Sequence, residues 1–184
     1  MNRRLLNRLL QALVAGLAIP TLATGAALTS TDYNAAKDRA AAEYKTLRAR
    51  CDNLAGIPKD VCIAEAKAAE RKARAEASAL YKNTDKARAE ARIEAAEADY
   101  DVAKTKCVAK AGNDRDVCLK EAKAAETKTK ADAKATEKIA DARRDAMEDK
   151  RDADYKVALE RCDALSGGAK DVCVNEAKLR YGTR

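Results

Sequence analysis

Cys51, Cys62, Cys107, Cys118, Cys162 and Cys173 are the side chains best suited to covalent or coordination chemistry, and they fall into three pairs whose partners stand eleven positions apart. Three chemistries are open to such a set. Thiolates hold zinc, but structural zinc sites use closely spaced cysteine pairs, commonly with histidine. This chain has neither a C-x-x-C pair nor a histidine. Thiol redox catalysis favours C-x-x-C at a helix N-terminus, a pattern also missing. The third chemistry is the structural disulfide. Six cysteines allow fifteen full pairings, and the repetition selects Cys51–Cys62, Cys107–Cys118 and Cys162–Cys173. Each such loop contributes on the order of 3 kcal/mol, mostly by restricting the unfolded chain. Local staples are the reading adopted; thiol or metal handling and an intermolecular disulfide are the alternatives.

The cysteines sit inside a longer repeat. The second of each pair lies in the phrase Lys59-Asp60-Val61-Cys62-Ile63-Ala64-Glu65-Ala66-Lys67, which returns around Cys118 and Cys173 as [Lys/Arg]-Asp-Val-Cys-x-x-Glu-Ala-Lys. Tyr44, Tyr100 and Tyr155 stand seven residues before the first cysteine of each pair, and Gly56, Gly112 and Gly167 five residues after it. The tyrosines read as rings packed in a helical seam, with ligand contact as the alternative. The Asp and Lys/Arg before each second cysteine read as a helix-dipole complement and a solvated partner, with recognition by another protein as the alternative.

No other chemistry has a foothold. Without histidine there is no Ser-His-Asp or Cys-His arrangement and no imidazole acid or base. Nothing resembles a glycine-rich phosphate loop. The expectation is a protein that is not an enzyme, with no catalytic, cofactor-binding or metal-binding residues and no cofactor.

The elements that must position the cysteines are helices. Charged residues make up 36% of the chain and Phe and Trp are absent, a recipe for long helices with little core. Thr31-Asp32 is suited to capping the first helix. Tyr44, Leu47, Cys51 and Leu54 keep a four-three apolar spacing. Gly56 then supplies a left-handed residue to end that helix, and Pro58 suits the first turn of the next. Asp60 is expected in that turn, at the positive end of the helix dipole. The predicted fold class is all-α: elongated antiparallel helical hairpins or coiled coil, with one disulfide at each tip, near residues 56, 112 and 167. Between tips there is no Gly or Pro, so 61–111 and 116–166 are expected as two continuous helices. Their weak points are 81–85 and 127–136. Continuity would put tips one and three at one end and tip two at the other.

Residues 1–27 carry the three parts of a secretory signal: Arg3, Arg4 and Arg8, an apolar centre over Leu9–Ile19, and a small-residue exit. An uncleaved membrane anchor is the alternative, since Leu9–Leu28 is nearly long enough to span a bilayer. Residues 28–184 then form one helical repeat region. Removing Arg3, Arg4 and Arg8 lowers the formal charge from +7 to +4, with acids and bases interspersed. That is not the concentrated basic stripe a nucleic-acid partner needs. Export would place the cysteines in an oxidising compartment, the periplasm, with no stable membrane span after cleavage.

The Ala/Lys/Glu-rich texture behind an export signal resembles the long helical middle region of TolA-like proteins of the Gram-negative cell envelope. The repeated cysteine phrase resembles that of small exported proteins of the same bacteria. The mitochondrial twin-cysteine hairpins are similar in idea but use two disulfides per hairpin. These resemblances imply a non-enzymatic structural or protein-interaction role in the periplasm, with another envelope protein as partner and a homo-oligomer left open. Binding of an anionic envelope polymer through Lys/Arg along a helix face, and a thiol- or metal-handling stress role, are the alternatives.

Overall fold

The computed structural model describes residues 27–182, so the expected export signal, but for Ala27, lies outside the described residues. Five helices follow one another: α1 (Ser30–Arg50), α2 (Gly56–Lys82), α3 (Asp85–Cys107), α4 (Gly112–Asp163) and α5 (Gly167–Tyr181). No strand occurs among the described residues. The chain is all-α, built of antiparallel hairpins with one disulfide at each of the three tips.

The first expected long helix is broken. Asn83 adopts φ 49° and ψ 41°, a left-handed conformation that caps α2, and its N–H donates to the Ala79 carbonyl at 2.9 Å. Asn tolerates this region better than other non-glycine residues. Thr84 is extended, and its hydroxyl accepts from the Ala87 N–H at 3.1 Å to start α3. The left-handed Asn followed by a capping Thr outweighs the helix-forming texture around them. The second long helix is continuous for 52 residues, about 78 Å. Its threonines do not break it, because Thr127, Thr129 and Thr136 donate their hydroxyls to carbonyls one turn back.

The break reorganises the topology. α3 returns alongside α2, and Lys106 meets Glu65 at 2.7 Å near the two cysteine tips. Tips one and two therefore share an end. Tip three lies at the other, because α4 continues past the start of α3, where Arg144 is 3.4 Å from Asp85. The expected pairing of tips one and three is thus corrected.

Each helix packs only against its neighbours in sequence, so α1 to α4 lie side by side in one layer. The sequence carries this arrangement in pairs of alanines two residues apart. Ala66 and Ala68, Ala77 and Ala79, Ala87 and Ala89, and Ala96 and Ala98 are all buried. Two residues turn a helix by about 200°, so each pair serves two opposite faces, one for each flanking helix. Eleven alanines and three cysteines form the buried apolar set among the described residues. At roughly 0.8 kcal/mol per buried methyl-sized group, such a core holds weakly.

The helix starts also differ from expectation. Thr29, not Thr31, caps α1, accepting from the Asp32 N–H at 3.1 Å. Gly56, Gly112 and Gly167 open the outgoing helices rather than end the incoming ones, at φ 58°, 51° and 55°. Asp60 consequently falls past the first turn of α2, which holds no acid. An added Cβ at any of the three glycines would meet nothing within 4 Å, so glycine is required there for its backbone alone. Gly168 is as open but not left-handed. Gly167→Ala should therefore destabilise tip three by about 1 kcal/mol, while Gly168→Ala stabilises it by a similar amount. Hydrogen exchange of α5 amides, faster in the first and slower in the second, reads the difference.

Candidate functional site

The three tips are built alike. In each, the first cysteine ends an incoming helix and the second lies one to two turns into the outgoing one. Their Cα atoms are 5.7, 5.7 and 5.6 Å apart, within disulfide reach, and Cys51–Cys62, Cys107–Cys118 and Cys162–Cys173 are joined. Cys51, Cys107 and Cys162 are fully buried and are the largest side chains so enclosed. In place of a bulky residue, a sulfur bridge fills each tip. No cysteine is free among the described residues, and no group of three or more His, Cys, Asp or Glu there is placed to hold a metal ion.

The basic residue of the repeated phrase has a partner the sequence alone did not reveal. Lys170 meets Asp163 at 2.9 Å and Lys59 meets Asp52 at 3.7 Å, each closing the tip beside its disulfide. Asp52 also accepts from Arg48 at 2.8 Å, and that bond first, then Lys59, holds its carboxyl below the usual range. Asp163 raises the Lys170 ammonium correspondingly. In copy two, Val108 occupies the place of these aspartates. The signal was present: an Asp directly after the first cysteine in copies one and three.

Tyr44, Tyr100 and Tyr155 are half-buried, one heptad from their cysteines. Tyr100 lies under the Lys123 ammonium, 5.0 Å from the ring centre. It borders an open groove of about 350 Å³ between α3 and α4, walled by Ala96, Ala103, Ala122 and Glu126. Tyr33 and Tyr81 stack at 4.7 Å and pin the start of α1 to the end of α2. Aspartates 60, 116 and 171 are exposed, at fixed places on the outgoing helices.

A second cluster crosses the layer. Arg71 of α2 donates to Glu94 and Asp101 of α3, each at 2.7 Å, and stands 3.9 Å from Glu97. Glu97 accepts from Lys130 of α4 at 2.5 Å, and Lys130 reaches Glu126 at 3.4 Å. Glu126 is the one buried charged residue among those described, and it also accepts from Lys123 at 2.7 Å. The bond from Lys123, followed by that from Lys130, holds its carboxyl below the ordinary range. Glu97, then Glu126, raises Lys130, and Glu94, then Asp101, raises Arg71. The network does no visible chemistry; it ties three helices across two seams.

No family model, curated protein or solved structure matches this chain. The disulfides fit an oxidising, extracytoplasmic setting. No described helix is long and apolar enough to cross a membrane.

Replacing Cys162 and Cys173 together by Ser should release α5 while α1–α3 keep their helicity. The measured outcome is loss of exchange protection confined to the third hairpin, with a cost near 3 kcal/mol. The charged seam gives a pH test. Glu126 has a depressed pKa, so its contribution is complete above its ordinary 4.5 and fades as the pH falls through the depressed value. Lys130 is raised, so its contribution is complete below its ordinary 10.5 and fades as pH climbs through the raised value. Glu126→Gln should therefore lower the melting temperature at neutral pH, and the gap to wild type should close in strong acid.

Proposed function

We propose that the protein is a non-enzymatic spacer or partner-binding rod of the bacterial periplasm, its helices held in register by staples at their reversals. The observation that supports this reading best is the length and nakedness of α4. Residues 142–151 of α4 are exposed on every face, with α3 ended on one side and α5 not yet arrived on the other. A helix polar all round is the kind that bridges two bodies through solvent. Here it joins a three-seam layer, with tips one and two, to a small outlying hairpin with tip three. An enzyme gains nothing from such a span, whereas a spacer or bridging protein does.

The outlying hairpin is also where large apolar groups are least covered. Leu179 is 88% exposed and Val172 59%, and both lie on α5, seven residues apart and so on one side of the helix. Such a face suits contact with a protein partner better than solvent. Binding of an anionic envelope polymer is the second reading, supported by Lys120, Lys128 and Lys138 standing exposed along α4.

The readings separate by crosslinking in intact cells followed by identification of what is joined. The rod reading expects one predominant protein, lost with Leu179→Glu and kept at high salt. Retention on anionic polymer that disappears with added salt, and that ignores Leu179, would favour the second reading.

A further inference from the structure

The repeat that builds the tips also builds the seam between hairpins, and it leaves that seam half-made at each edge of the layer. Residues of α3 and of the first half of α4 stand 56 positions after their counterparts in α1 and α2, as Cys107 and Cys118 do after Cys51 and Cys62. The seam joining the first hairpin to the second runs between α2 and α3. There Ala68 shares a groove with Ala98, and Ala79 shares another with Ala91 and Ala95. Along one flank Glu65 meets Lys106 at 2.7 Å, Lys72 meets Asp99, and Glu76 lines the same groove as Ala95.

Shifted one repeat forward, the face of α2 that holds α3 becomes the outer face of α4, with Ala124 and Ala135 in place of Ala68 and Ala79. Shifted one repeat back, the face of α3 that meets α2 becomes the outer face of α1, with Ala42 and Ala35 in place of Ala98 and Ala91. Ala124, Ala135 and Ala42 are exposed and Ala35 half-buried. No described helix packs on either face. The outlying hairpin leaves the α4 face open as well. Cys162, bonded to α5, stands 29 residues after Ala133 and so on the same side of the helix, toward α3.

Charge agrees with this register rung by rung. Glu65 and Lys106 become Glu121 of α4 and Arg50 of α1, and Lys72 and Asp99 become Lys128 and Glu43. Glu76 and Ala95 become Asp132 and Arg39, a third opposite pair where the filled seam has none. All six are exposed. None makes an ion pair within the chain among the described residues. On the other flank Arg71 and Asp101 become Thr127 and Lys45, while Ser78 and Glu94 become Lys134 and Asp38. The like-charged approach, Lys45 and Arg48 toward Lys120 and Lys123, falls at the tip end. There Asp52 already holds Arg48 and Glu126 holds Lys123.

We propose that one copy of this chain docks its α1 on the outer face of α4 of another, antiparallel, as α3 docks on α2. The contact joins two different faces, so each added copy presents a fresh α4 and the layer goes on growing. About 20 residues of paired helix span roughly 30 Å, a small interface. Growth should accordingly need concentrations above about 10 μM.

Sedimentation velocity of the oxidised protein, from about 1 to 300 μM, should give an average coefficient that keeps rising past that of a dimer. Arg39→Glu with Arg50→Glu, and separately Glu121→Lys with Asp132→Lys, should each weaken association about tenfold. Circular dichroism should not change, since the four positions are exposed and all the new residues form helix well. An equimolar mixture of the two variants should recover association, because the altered α1 of one matches the altered α4 of the other. A wild-type chain monomeric throughout overturns the proposal. So does a discrete dimer indifferent to the α1 changes, which would assign the contact to other faces, or a mixture no more associated than its components.

Discussion

The constraint behind this structure is how little surface an alanine methyl removes from water. A buried leucine contributes about three times as much as a buried methyl group, yet among the described residues no leucine is fully buried, and the largest enclosed side chains are cysteines. A chain made this way cannot wrap several helices around a common centre, because there is nothing to fill the centre. It can only lay helices side by side so that small faces touch. The single layer, with each helix meeting only its sequence neighbours, is the geometric consequence of that choice of residue.

Two other interactions then carry what apolar burial does not. The disulfides act at three of the four reversals, where the chain entropy of bringing two helices together is concentrated. The ion pairs act between the reversals, where Arg71, Glu97, Lys130 and Glu126 run from one helix to the next. An exposed pair is worth little singly. Linked through shared members, with Glu126 shielded from water, these pairs fix which alanines face which. Mixed charge therefore sets register in this layer, a task that interlocking large side chains perform in other helical proteins.

What was legible in the sequence divides along the same line. Covalent and backbone signals could be read: the eleven-residue cysteine spacing gave the pairing, and the recurrent glycine gave the reversals. Each is a local feature with few alternative outcomes. The turn at Asn83-Thr84 was visible as a place where one helix could stop and another be capped, but continuity was the expectation, since nothing in those residues forbids a helix. The similar threonines of α4 stay helical. The difference lies in Asn83, whose left-handed cap closes α2, and in Thr84, whose hydroxyl caps α3. The seam network was not legible, because one Lys or Glu among dozens carries no mark of its partner until the register is known.

That one break decides the shape of the molecule. Had α2 continued into α3, two helices of about fifty residues would have covered each other for their whole length. Stopping at Asn83 folds the first of them back on itself. The second is left longer than its partner, and beyond the Arg144–Asp85 ion pair residues 145–151 stand alone. The uncovered length is thus a by-product of unequal helices, and it sets the third tip apart from the first two. A lone helix in water is marginal over ten residues, so this stretch relies on being continuous with paired helix at both ends. α5, the shortest of the five, packs on α4 alone. Local opening begins in the elements with the fewest buried contacts, and that places the first opening in the outlying hairpin, with the layer intact behind it.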